Sequence, residues 1–182
     1  NIAEKIVNSL QLTDQYKQVL EVGPGMGILS DFLLQKAEYE TYLIDVDVES
    51  FQFLQKKYPA LGDKLINGDF LELNFKEVFA DKFAIIGNFP YNISSQILFK
   101  VLDNRDQVVE MVGMFQKEVA ERCAEKIGGL LKVFGGPRRE LDKVEMIVSA
   151  HDRNDVSVRR SFSGRPSFSR YSCNPTGCPL PS

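Results

Sequence analysis

Gln18-Val19-Leu20-Glu21-Val22-Gly23-Pro24-Gly25-Met26-Gly27 is the stretch whose reading decides the fold. A short apolar run predicts a strand at 18–22, and it ends at three glycines on alternate positions. Leu29, Phe32 and Leu33 then recur at helical spacing, so a helix is expected over 28–37. Glycine lets the backbone bend sharply and approach a ligand with no Cβ in the way. A helix that starts just after such a turn aims its free N–H groups and positive dipole end into the crevice. The spacing is Gly-x-Gly-x-Gly rather than the dinucleotide Gly-x-Gly-x-x-Gly, and Pro24 stiffens the loop. On its own such a turn is as easily a tight loop, so the residues around it must decide.

Working outward, strand and helix signals alternate. Strands are expected at 41–44, 64–67, 83–86 and 108–115, and helices at 48–58 (closed by Pro59), 93–102 and 116–126. Upstream, Ile2, Ile6, Val7 and Leu10 mark an amphipathic helix. Strands separated by helices of this length mean βαβ units: an α/β domain with a mostly parallel sheet covered on both faces.

Two acids then fall where a nucleoside cofactor needs them. Asp45 ends the second strand, 18 residues after Gly27, where the acid of a dinucleotide fold meets ribose hydroxyls, and Asp47 follows it. Asp69 follows the third strand in Asn67-Gly68-Asp69-Phe70, where its carboxylate can accept an adenine amino group while Phe70 packs beside the ring. Most strand-end acids are merely solvated. A glycine loop and two acids in order after strands one, two and three point instead to nucleoside-cofactor binding by Gly23, Gly25, Gly27, Asp45, Asp69 and Phe70.

Gly87-Asn88-Phe89-Pro90-Tyr91-Asn92 follows the fourth strand, at the carboxyl edge where such folds keep their chemistry. In isolation it reads as a turn with two aromatics. Beside a cofactor it reads differently. The Asn88 side-chain carbonyl and the Pro90 backbone carbonyl can accept the hydrogens of an amino group and aim its lone pair. Tyr91 offers a ring face to a base drawn from its stack.

Composition limits the rest. The chain has 182 residues, 43% hydrophobic and 26% charged, as in an ordinary globular domain. No apolar run approaches the ~20 residues of a membrane-spanning helix, and the first residues lack the layout of a secretory signal. No Met precedes Asn1, so a longer native N-terminus is expected. Cys123, Cys173 and Cys178 make no disulfide framework, and a cytoplasmic setting is the default. His151 with Cys173 and Cys178 is too small and irregular a set for zinc, so no metal is expected. Residues 1–126 hold 13 Lys+Arg against 20 Asp+Glu, a net −7, whereas 127–182 hold 9 against 5, a net +4. An acidic domain gains nothing from counterion release, so charge argues mildly against a nucleic-acid partner.

Residues 127–182 change character. Lysine gives way to arginine, Gly128-Gly129 and Gly135-Gly136-Pro137 interrupt the chain, and Ser, Arg and Pro dominate from Ser157. A domain boundary is therefore expected at Lys126, followed by an irregular, poorly ordered tail in which 141–149 could form one short element. The switch suits a natural tail, a shifted reading frame or a chimera.

The motifs together resemble the KsgA-type ribosomal RNA adenine dimethyltransferases, a family similar in turn to the Erm enzymes. The matching stretches are Leu20-Glu21-Val22-Gly23-Pro24-Gly25-Met26-Gly27, Asn67-Gly68-Asp69-Phe70, Asn88-Phe89-Pro90-Tyr91-Asn92-Ile93-Ser94 and Met114-Phe115-Gln116-Lys117-Glu118-Val119-Ala120-Glu121-Arg122. They cover residues 1–126 in the family's order. The resemblance implies a Rossmann-like S-adenosylmethionine-dependent methyltransferase fold. It implies cofactor contacts at Glu21, Gly23, Asp45, Asp69 and Asn88, with Tyr91 next to the target base. It further implies transfer of methyl groups to the N6 atoms of two adjacent adenines near the 3′ end of small-subunit (16S) rRNA, in ribosome biogenesis, by a monomer that needs no membrane. A DNA adenine-N6 methyltransferase and a catalytically silent factor that monitors small-subunit assembly are the alternatives. The family's opening Gly-Gln-x-Phe-Leu segment and its helical C-terminal domain are not recognisable in this sequence.

Overall fold

A computed structural model of the chain describes residues 2–11, 13–89, 92–116, 131–135 and 143–149. The element order is α1 (Ile2–Asn8), β1 (Gln18–Val22), α2 (Ser30–Leu33), β2 (Glu40–Asp45), α3 (Val48–Lys57), a 3-10 helix (Pro59–Lys64) and β3 (Leu65–Asn67). It continues through α4 (Phe75–Val78), β4 (Phe83–Asn88), α5 (Ser94–Asp103), β5 (Val108–Gln116), β6 (Leu131–Gly135) and β7 (Lys143–Ser149). The sheet has seven strands in the order β3-β2-β1-β4-β5-β7-β6. β1 to β5 pair in parallel, whereas β7 runs antiparallel to both β5 and β6.

The central strands read as nearly continuous apolar runs because both of their faces are covered. Leu20 and Val22 of β1, with Phe83 and Ile85 of β4, face a core completed by Phe75 on α4 and by Ile97, Leu98 and Val101 on α5. Val19, Ala84 and Ile86 point the other way, against Ile6 and Val7 of α1 and Leu29 and Leu33 beside and on α2. A third cluster, Leu43, Leu54 and Leu65, fastens α3 to β2 and β3. Glu110 is a charged residue 1% exposed within the second core. The Gln11 backbone N–H lies 3.1 Å from both its carboxylate oxygens, and Tyr16 Oη donates to Oε2 over 3.0 Å. These bonds tie the segment between α1 and β1 to β5, and burial beside Glu110 pushes the Tyr16 hydroxyl far above its ordinary value.

The structure differs from the expected elements in three places. The sheet does not stop at Lys126. β6 and β7 extend it to Ser149, and β7 pairs with β5 from Gln116↔Lys143 to Glu110↔Ser149. Gly135 thus ends β6 rather than the fold. Gln116 closes β5 instead of opening a helix, because Lys143 of β7 stands opposite it. The rest of that expected helix, 117–126, lies outside the described residues, as do Cys123, His151, Cys173, Cys178 and the Ser/Arg/Pro-rich stretch. The helix expected at 28–37 is regular only over Ser30–Leu33, and Tyr39 turns into the α1-side core soon after it. Among the described residues no helix is long and apolar enough to cross a membrane.

Candidate functional site

In this strand order the connections leave β1 in opposite directions, through α2 to β2 on one side and later to β4 on the other. The carboxyl ends of β1, β2 and β4 therefore border the crevice in which open α/β sheets bind ligands. Gly23, Gly25 and Gly27 all adopt left-handed backbone, with φ of 67°, 55° and 76°. Any other L-residue is strained there by roughly 1–2 kcal/mol per position. The three differ in their surroundings. A Cβ on Gly23 or Gly25 would meet no atom within 4 Å, so both look onto open space. A Cβ on Gly27 would stand 2.8 Å from Tyr58 Oη and 3.0 Å from Leu54 Cδ2, so the loop is closed from behind.

That backing is polar as well as steric. Lys57 Nζ donates to Asp31 Oδ2 over 2.8 Å and to the Met26 carbonyl over 3.2 Å. Tyr58 Oη lies 2.9 Å from the Gly27 carbonyl and 2.6 Å from Asp31 Oδ1. The Lys57 and Tyr58 hydrogen bonds hold Asp31 below the usual carboxylate range, while burial and Asp31 push the Tyr58 hydroxyl up to about 12. The end of α3 thus grips the glycine loop on the side away from the crevice.

Asp45 lies under the loop's open side. Its Oδ2 accepts the Gly25 N–H at 3.1 Å and its Oδ1 the Asp47 N–H at 3.0 Å. A carboxylate has about four lone-pair sites, so these two bonds leave acceptor capacity for hydroxyls in the crevice. The Asp45 carbonyl accepts the Gly68 N–H at 3.0 Å and Asn67 Nδ2 at 3.1 Å, which sets the loop after β3 beside it. Asp69 is exposed on that loop, with Oδ1 accepting the Leu71 N–H at 2.8 Å. Lys100 of α5 braces the loop from below. Its Nζ donates to the Leu71 and Leu73 carbonyls at 2.7 Å each and sits 5.0 Å from the Phe75 ring centroid. Burial pulls the Lys100 ammonium below its ordinary value. The apolar periodicity of α5 masks this brace, and only the contact reveals it.

Two of the expected site residues, Phe70 and Glu21, are buried, and Asp47 caps a helix. Phe70 is 4% exposed and packs on Phe75 at a centroid distance of 5.5 Å, so its ring belongs to the floor beneath Asp69. Glu21 is 1% exposed and turned toward α2, where Ser30 Oγ donates to its Oε2 at 2.7 Å. It therefore supports the glycine loop from its root. Asp47 accepts the Ser50 N–H at 2.8 Å and caps α3. Asn88, the last residue of β4, is exposed at the carboxyl edge. Pro90 and Tyr91 lie outside the described residues. A separate cleft of about 450 Å³ opens near the amino end of β2, lined by Tyr39, Thr41, Leu61 and Lys64 among others. It contains none of the crevice acids.

A sheet in this order, with glycines after β1, an acid ending β2, another after β3 and an asparagine ending β4, is the Rossmann-like methyltransferase fold. Solved structures agree. A dimethyladenosine transferase from Plasmodium falciparum superposes with a TM-score of 0.61 at 26% identity, over 81% of this chain and 60% of that one. The 23S rRNA methyltransferase ErmE superposes with a TM-score of 0.64 at 21% identity, over 82% and 67%, a likeness of fold. Residues 1–132 match the ribosomal RNA adenine dimethylase family, and the chain belongs to it. The ribosomal RNA small subunit methyltransferase A of Cytophaga hutchinsonii is 56% identical over 134 residues, which is 74% of this chain and 51% of that protein. The chain thus spans about half the length of the curated relatives it matches.

Proposed function

We propose that this chain carries the catalytic core of an S-adenosylmethionine-dependent dimethyltransferase acting on two adjacent adenines near the 3′ end of small-subunit rRNA. The observation that carries the reading is the convergence of the open glycine face, Asp45, Asp69 and Asn88 on one edge of the sheet, in a chain of this family.

The residues fit a nucleoside cofactor. Open space above Gly23 and Gly25 admits a chain with no Cβ in its way, and Asp45 retains acceptor sites beside that space. Asp69 would offer its carboxylate to the adenine amino group of the cofactor, from a loop braced by Lys100. When bound, S-adenosylmethionine supplies a methyl group on a sulfonium whose leaving group is a neutral thioether. The difficulty lies with the acceptor, because the lone pair of an adenine amino group is delocalised into the ring. Asn88 Oδ1 and the Pro90 carbonyl would accept the two amino hydrogens and favour a pyramidal nitrogen. Tyr91 would stack on the extruded base. Catalysis is then positioning and electrostatics, with no strong base required.

The test is transfer of labelled methyl from S-adenosylmethionine to small ribosomal subunits that lack the modification. Label recovered as dimethyladenosine near the 3′ end of the rRNA is the expected result. Transfer to duplex DNA instead would move the chain to the DNA enzymes. Binding to subunits without transfer would make it a silent assembly factor. We further propose that it works as a monomer in the cytoplasm, which sedimentation and fractionation would check.

A further inference from the structure

We propose that Gly113 is a positioning residue of the reaction loop: with Gly87 it reserves the notch that Phe89 must fill for Asn88 to stand at the carboxyl edge. The proposal rests on the functional reading above. Gly87 of β4 and Gly113 of β5 are register partners in adjacent parallel strands, one step before Asn88↔Met114. Both are buried. Glycine weakens the interior of a strand, so a side-by-side pair in a buried sheet marks a place where something comes close. That something is Phe89, 2% exposed and part of the core that also holds Ile85 and Met111.

The fit leaves no room for a methyl group. A Cβ on Gly113 would overlap Cε2 of Phe89 and stand 2.7 Å from Cδ2 and from the Gly87 carbonyl oxygen. A Cβ on Gly87 would stand 2.9 Å from Cε1 of the same ring and 2.7 Å from the Val22 carbonyl. Carbon atoms settle at about 3.5–4.0 Å, so alanine at either place must displace the ring. The ring has little freedom to yield. Core residues pack around it, and Pro90 next in sequence restricts the backbone of Phe89 itself. Displacement therefore passes to the neighbour on the other side, Asn88. A residue on β5, remote in sequence from the motif, would thus set the position of the acceptor carbonyl.

The test combines Gly113→Ala, Phe89→Leu and the double variant in the full chain, with turnover on undermethylated small subunits, KM, affinity for S-adenosylhomocysteine and melting temperature. Gly113→Ala is expected to lower kcat roughly 10- to 100-fold, with KM and S-adenosylhomocysteine affinity within about three-fold. Adding Phe89→Leu removes the ring but leaves the new methyl group 2.7 Å from the Gly87 carbonyl, so Gly113→Ala is expected to cost less in both kcat and melting temperature in the Phe89→Leu background than in the parent. Should Gly113→Ala fail to fold, the double variant is still expected to fold and turn over. Parental kcat in Gly113→Ala, or no recovery in the double variant, overturns the proposal. A parent chain that transfers no methyl group overturns the functional reading and the proposal with it. In that case recovery of melting temperature in the double variant would still show the notch to be real.

Discussion

Ser30 Oγ donates to Glu21 Oε2 over 2.7 Å, and both residues are buried at the root of the glycine loop. Burial pushes the Glu21 carboxyl up to about 8, despite the opposing Ser30 hydrogen bond and with the Asp31 and Asp45 charges adding to the rise. Below the ordinary carboxylate value both folded and unfolded chains hold this proton. Between there and about pH 8 only the folded chain does, so stability declines as pH rises, by at most about 1.4 kcal/mol per unit. Glu21→Gln removes the titration and keeps an acceptor for Ser30. Melting temperatures followed across this window should therefore diverge, with the variant gaining on the parent toward pH 8. Parallel profiles would mean that Glu21 is ionised in the fold.

The glycine loop should separate stability from binding. Gly27→Ala meets both a left-handed φ of 76° and the Tyr58 hydroxyl, so it is expected to lower the melting temperature more than Gly23→Ala does. Gly23→Ala carries the backbone strain alone, roughly 1–2 kcal/mol, yet places a methyl group in the open space over the loop. Calorimetry with S-adenosylhomocysteine should show the larger loss of affinity per degree of melting temperature for Gly23→Ala. The reverse order would remove the open face from the binding site.

The acids that follow β2 and β3 offer a similar contrast. Asp69→Ala is expected to weaken cofactor binding by roughly 1–3 kcal/mol, the cost of a lost charged hydrogen bond. Asp47→Ala removes the cap at Ser50 and should lower the melting temperature while leaving affinity alone. Titration calorimetry and thermal melts on the two variants check both halves. Equal affinities in parent and Asp69→Ala would strike Asp69 from the site.

Asn88→Ala tests the reaction half. Its carbonyl is assigned to the target amine, so turnover should fall by about 10²–10³-fold while cofactor affinity stays within a few-fold. Methyl-transfer kinetics alongside calorimetry separate the two effects. Turnover close to the parent's would remove Asn88 from the mechanism.

The placement of the candidate residues was legible in the sequence for a physical reason. Left-handed backbone demands glycine, and strand ends at a switch point gather polar groups, so residues 23–27, Asp45, Asp69 and Asn88 carry local signatures. Side-chain direction is another matter. Glu21 and Phe70 sit within the same motifs, yet each turns away from the crevice, Glu21 to Ser30 and Phe70 to Phe75. Neither composition nor spacing encodes which face of the sheet a given residue meets once neighbouring elements pack on it.

Taken by itself, the sequence determined the order of the strands as far as β5, and of the helices other than α4 and the 3-10 helix, because near-continuous apolar runs and helical spacing are properties of neighbours along the chain. Tertiary structure alone decided what depends on partners distant in sequence. β6 and β7 complete the sheet beyond Lys126 because β7 pairs with β5, whose open edge it covers. Lys100 braces the Asp69 loop across 29 and 27 residues of chain, through carbonyls that every residue possesses and no motif can mark. Gly87 and Gly113 acquire their meaning only when β4 and β5 come into register and the Phe89 ring settles across them. A missing Cβ leaves no pattern in the sequence beyond the letter itself, and its consequence is the space another residue fills.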